Sequence, residues 1–133
     1  MGDHDQGERL VYGSAEVAQA TGVTVHQLRR WLEDGVVHAT AGDHHPGRGR
    51  MRLWRREDVV VVRAVAALVA AKVPLRNIRE AFAMVSVCPD APLNEMLSAH
   101  AVIAVRGGPI IGAIPREAKG TLLPLADLVI VEV

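Results

Sequence analysis

Arg48, Arg50, Arg52, Arg55 and Arg56 all fall within residues 44–56, and no acidic residue interrupts them. Guanidinium groups at that density suit anions, and phosphate above all, because Arg makes paired charge-assisted hydrogen bonds to phosphate oxygens. The whole chain carries 15 Lys+Arg against 15 Asp+Glu, a formal net charge of zero. A local basic face is therefore hidden by the overall charge. The N-terminal 23 residues and the stretch from 81 onward lean acidic, while 24–80 leans basic. The plain alternative for this stripe is a solvated basic loop that binds nothing.

Other residue types with chemical potential are less well arranged. Asp43, His44 and His45 sit together in a loop rich in Gly and Pro. Adjacent donors on such a loop do not make a preorganised metal site, and no metal is expected. Cys88 and His100 are separated by a proline-containing link, with no third catalytic group or Gly-rich oxyanion loop nearby. Arg106-Gly107-Gly108 lacks the helix and the Lys of a phosphate-binding loop. The chain therefore reads as a non-enzyme without a cofactor. Its single Cys excludes a disulfide framework and a four-Cys zinc site.

At 133 residues and 50% hydrophobic, the chain is one domain, or a small domain with an appendage, and apolar enough to bury a core. Its first ten residues, MGDHDQGERL, are acidic and polar, unlike a signal peptide. No apolar run approaches the ~20 residues that span a bilayer. The expectation is a cytoplasmic, nucleoid-associated protein with no membrane contact.

The elements that must carry the arginines follow from local signals. Residues 1–10 read as a flexible leader. A first helix is expected over Ala15–Ala20, with Ser14 accepting from an orphan N–H at its start, followed by a turn at Thr21-Gly22-Val23. Thr24 and Gln27 have capping-box spacing, and Val23 and Leu28 that of a hydrophobic staple. Gly35 falls where a left-handed residue ends a helix. Leu28, Trp31 and Leu32 form the core stripe of helix 24–34, leaving His26, Gln27, Arg29, Arg30 and Glu33 outside it. Two short helices about a turn make a helix-turn-helix. Val36-Val37 reads as a strand, 38–49 as a loop and Met51–Trp54 as a second strand, together an Arg-bearing wing.

Further helices are expected over Val59–Ala71, with Glu57 and Asp58 in its first turn, and over Leu75–Val87, with Lys72-Val73-Pro74 between them. Pro89 and Pro92 end helical structure, and 88–100 reads as a linker that includes a short turn over Leu93–His100. Ala101–Val105 and Ile110–Ile114 form a hairpin about Arg106–Pro109, Pro115–Gly120 is a loop, and Leu128–Val133 is a last strand. The fold class is mainly α (α+β): a winged helix-turn-helix over 11–87 with a small C-terminal β-rich appendage over 101–133.

A family can be named on this order of elements. Tyr12, Glu16-Val17-Ala18, Thr21-Gly22-Val23-Thr24, Leu28-Arg29-Arg30-Trp31 and Asp34-Gly35-Val36 are followed by Arg52-x-Trp54, Glu57-Asp58-Val59 and Val73-Pro74-Leu75…Ile78. Over residues 12–81 the sequence resembles the DNA-binding domain of the MerR family of bacterial transcription regulators. The resemblance implies that the second helix enters the major groove while an Arg-Tyr-Tyr motif and the wing hold phosphates. Arg29 matches the family Arg, and Arg30 and Trp31 stand where the two Tyr are usual. Arg52 matches the wing Arg, and Trp54 stands where a Tyr is usual. Neither Trp can donate an O–H, so both read as packing residues. Where the family continues into a coiled-coil dimer helix, this chain has Pro89, Pro92 and a β-rich tail.

The candidate DNA-contacting set is Ser14, Thr24, His26, Gln27, Arg29, Arg30, Arg48, Arg50, Arg52 and Arg55. The expected partner is double-stranded DNA, with helix 24–34 in the major groove and the wing, 38–54, on the backbone. A homodimer through residues 101–133, by intermolecular strand pairing, is set against a tail folded back on helices 56–71 and 75–87 of its own chain. Two other functional readings remain. One is an architectural, excisionase-type recombination factor, which cooperative binding and bending of tandem sites would select. The other is a protein-interaction module acting through the tail, which the absence of salt-sensitive DNA binding would select.

Overall fold

The computed structural model describes residues 11–44, 51–86, 92–121 and 127–132. Packing divides the chain into two compact units, Met1–Val59 and Val60–Val133.

In the first unit, strand β1 (Tyr12–Gly13) runs directly into helix α1 (Ser14–Thr21). The N-cap is Gly13, not Ser14 as the sequence suggests: the Gly13 N–H donates to Glu16 Oε1 at 2.9 Å. Ser14 is already helical and cannot cap its own helix. Gly22, at φ +79, closes α1, and the N–H groups of Gly22 and Val23 both return to the Ala18 carbonyl at 2.9 and 3.1 Å. Helix α2 (Val25–Glu33) then starts on the expected box. Gln27 N–H donates to Thr24 Oγ1, and Thr24 N–H donates to Gln27 Oε1, both at 3.0 Å. Gly35, at φ +76, ends it, with Gly35 N–H on the Leu32 carbonyl and Val36 N–H on the Trp31 carbonyl. These are the two bonds of a Schellman motif.

Val36 and Val37 are buried but form no strand. Their N–H groups turn back to the Trp31 carbonyl, at 3.0 and 3.5 Å, so they are not available to a ladder. This apolar pair fills the core at a helix end. The wing is built further on: β2 (Gly42–His44) pairs with β3 (Met51–Trp54), and β3 also pairs with β1, giving the antiparallel order β1-β3-β2. Gly42, expected to keep 38–49 irregular, instead opens β2 opposite Leu53. Among the described residues of this unit, Val17, Ala18, Leu28, Trp31, Val36, Val37 and Trp54 are the buried apolar ones.

Helix α3 (Arg56–Ala70) contains the boundary between the units. It ends on Lys72 at φ +70, the only described non-glycine residue with positive φ, and the Val73 N–H reaches back to the Leu68 carbonyl. Helix α4 (Leu75–Ser86) follows, then α5 (Leu93–Ala99), β4 (His100–Val105), β5 (Ile110–Pro115), a 3-10 turn over Arg116–Thr121 where a loop was expected, and β6 (Leu128–Val131). The sheet is antiparallel in the order β5-β4-β6, with Val102 opposite Val131 and Ala101 opposite Ile114. Central β4 buries Ala101, Val102 and Ala104. β4 and β5 both lie against the helices of this unit, β4 on α5 and β5 on α4. The tail thus folds back in cis onto α4 and α5. The Arg116 guanidinium secures it, donating to the Leu97 carbonyl (3.0 Å), the Ser98 carbonyl (2.8 Å) and Glu132 Oε1 (3.2 Å).

No helix among the described residues is long and apolar enough to cross a membrane.

Candidate nucleic-acid interface

The cap and the Schellman end fix α2 in length and direction, and Leu28 and Trp31, 0% and 3% exposed, anchor one of its faces. At 100° per residue, Arg29, Arg30, His26 and Glu33 are left on the opposite side, and all four are exposed. Thr24 and Gln27 are exposed as well, but they are partly committed to each other. Gln27 Oε1 accepts from the Thr24 backbone, so only the amide NH₂ of Gln27 remains for a ligand.

The wing strand is held against α1 by Trp54. Its ring is fully buried, and its indole N–H donates to Ser14 Oγ at 3.0 Å. This is the role of Ser14, in place of the cap expected for it. The Ser14 hydroxyl hydrogen remains available as a donor. Beside it lies a cleft of about 550 Å³, lined by Ser14 and Ala15 at the start of α1, Val25, Arg29, Leu32 and Glu33 on α2, and Arg52 on β3. Two of the predicted arginines therefore converge, one from the helix and one from the wing, at an α-helix N-terminus. Helix N-termini favour anions through their unpaired N–H groups and the helix dipole.

Arg55 is exposed at the base of the wing and donates through Nε to the Thr40 carbonyl at 3.3 Å. Arg48 and Arg50, and most of the histidine-bearing wing tip, lie outside the described residues.

Sequence reasoning missed what fixes the wing base. Asp58, 8% exposed, accepts from the Thr40 N–H (2.8 Å), the Thr40 hydroxyl (2.8 Å) and the Arg55 N–H (2.8 Å). The sequence showed Asp58 only as a negative charge in the first turn of a helix. Its bond to the Arg55 N–H is the return half of a capping box and was legible from the spacing. Its bonds to Thr40, eighteen residues away, follow no local pattern. Among the described residues, no group of three or more His, Cys, Asp or Glu is placed to hold a metal.

The MerR HTH family regulatory protein model matches residues 12–85, more than half of the chain. The protein belongs to the MerR family. Members of this helix-turn-helix family are DNA-binding transcription regulators. The match spans the helix-turn-helix, the wing and helices α3 and α4, and stops before the β-rich tail. No curated protein matches the chain. Trp31 and Trp54, expected from the sequence to be packing residues, are buried, 3% and 0% exposed, and serve as core.

Proposed function

We propose that this MerR-family protein is a sequence-specific regulator that binds double-stranded DNA with α2 in the major groove and the wing along the flanking backbone. The observation that carries this reading is the convergence of Arg29 and Arg52 on the cleft at the start of α1. A DNA phosphate seated there meets two guanidinium groups, the Ser14 hydroxyl and a helix N-terminus, against one carboxylate, Glu33, on the same lining. Arg48, Arg50 and Arg55 extend the same backbone contact. His26, Gln27 and Arg30, in the N-terminal two turns of α2, are the base readers. Phosphate contacts position the protein without reading sequence, so wing Arg→Ala changes weaken specific and random DNA alike. Changes at His26 or Arg30 alter the preferred site.

A single winged module buries only about 600–1,000 Å² on DNA, which is small for a tight specific site. The reading therefore includes a homodimer on two half-sites, built through the tail over 101–133, acting on the nucleoid in the cytoplasm. The test is salt dependence. With five or six phosphates neutralised, log K falls against log salt with a slope near about −5, at roughly −0.9 per phosphate. A slope near zero on every duplex tried would remove the DNA reading.

A further inference from the structure

Besides Arg29 and Arg52, the cleft at the start of α1 carries one more charge, and its sign is opposite: Glu33 lies on the same lining. All three charged residues are exposed. The rest of the lining is Ser14 and an apolar wall of Ala15, Val25 and Leu32.

Helix stability does not account for a carboxylate at this position. Glu33 is the last residue of α2, where the helix dipole favours cations over anions. It stands four residues after Arg29, and with the cation first this pairing is the weaker of the two orders. A site built only to hold phosphate as tightly as it can would also avoid a carboxylate, since like charges brought together cost affinity.

The sum of charges gives Glu33 a purpose. Two guanidinium groups and one carboxylate leave the cleft with a net charge of +1. Each phosphodiester of a nucleic-acid backbone carries one negative charge, so the filled cleft sums to zero. A phosphate monoester loses its second proton at about pH 6 and is close to doubly charged at neutral pH. In the same cleft it leaves one negative charge in excess, beside Glu33. Its dehydration is also costlier, because the cost of stripping water from an ion rises with the square of its charge while attraction to the cleft rises only in proportion. A neutral residue at 33 would reverse the match, since two unopposed guanidinium groups suit a dianion.

We infer that Glu33 is a specificity-determining residue of this cleft, an inference that rests on the DNA-binding reading above. It matches the cleft to the singly charged phosphodiester of a duplex and disfavours the doubly charged phosphate of free nucleotides and other monoesters. Affinity for DNA is lowered, and in return small phosphates do not occupy the place of the backbone.

The test titrates the full-length chain with dimethyl phosphate, a diester, and separately with methyl phosphate, a monoester, near neutral pH and at fixed ionic strength. Nuclear magnetic resonance shifts of the Ser14 and Ala15 backbone amides, at the cleft, report occupancy. Wild type should show no preference for the monoester. Glu33→Gln should move the ratio of the two affinities toward the monoester by roughly threefold, the scale of one exposed charge pair. It should also bind a random-sequence duplex roughly threefold more tightly, and keep the wild-type far-UV circular dichroism because the position is exposed. Glu80→Gln, the same change of charge at an exposed position of α4 outside the cleft lining, should match wild type in both measurements. A wild type that already prefers the monoester, an unchanged ratio in Glu33→Gln, an equal shift in Glu80→Gln, or amides that respond to neither anion overturns the inference and leaves the DNA reading untouched. A wild type with no salt slope on any duplex overturns the DNA reading instead, and the two anion titrations then judge Glu33 alone.

Discussion

The two units hold their shape by different means. In Met1–Val59 the decisive bonds are polar and mostly short in sequence. Thr24 with Gln27, Gly13 with Glu16, and the Gly22 and Gly35 helix ends all close within five residues. The bonds that reach across the unit, Trp54–Ser14, Asp58–Thr40, Arg55–Thr40 and the pairing of β3 with β1 and β2, all secure the wing. In Val60–Val133 the order comes from strands that meet across the chain, Val102 with Val131 and Ala101 with Ile114, and from the Arg116 guanidinium, just after β5, which ties the end of α5 to Glu132 just after β6. A surface that must present arginines to a rigid duplex gains from closely spaced, directional bonds, which leave little freedom in helix length or angle. The tail, built around apolar strands, tolerates a less determined frame.

The largest effects that probe this contrast lie in the two cores. Trp54→Ala should cost about 3–5 kcal/mol and Leu97→Ala about 2–5 kcal/mol, since both side chains are fully buried. Amide exchange should show each loss concentrated in its own unit. Equal loss of protection in α2 and β4 from Leu97→Ala would break the division into two units. Next comes Asp58→Ala, which removes the charged acceptor of part-buried bonds from Thr40 and Arg55 and should cost about 1–3 kcal/mol. Because Asp58 sets the wing base, DNA affinity should fall in parallel even though no arginine has been touched.

Arg116→Ala should cost about 1–2 kcal/mol, chiefly through the carbonyls of Leu97 and Ser98 at the end of α5. Glu132→Gln should cost less than about 1 kcal/mol, because the pair is part-exposed, at 28% and 38%. If Glu132→Gln proved as damaging as Arg116→Ala, the ion pair and not the helix cap would hold the tail. The smallest effect should be a gain. Lys72→Gly relieves a left-handed residue and should stabilise the chain by up to about 1 kcal/mol, read as a higher urea midpoint at unchanged m-value.

Both helices of the helix-turn-helix, the cap at Thr24, the stop at Gly35 and the core face of α2 were legible in the sequence, because each depends on residues within one or two turns of one another. So were the strands of the tail, whose β-branched runs sit within a residue or two of β4, β5 and β6. Val36-Val37 misled for an instructive reason: apolar residues at a helix end and apolar residues in a strand look alike until the destination of their N–H groups is known. β1 was invisible, since two residues carry no period and become a strand only beside Trp54 and Leu53. Amino-acid order alone determined the family, the arginines and both ends of α2, since caps, dipoles and left-handed glycines act over a few ångströms. Only the tertiary structure decided that Ser14 receives the Trp54 indole, that Thr40 and Asp58 fix the wing, that Arg29 and Arg52 share one cleft, and that the tail folds onto α4 and α5. Those pairings join residues some twenty or more positions apart, or join separate elements, and no local signal distinguishes the right partner from the others until the chain has packed.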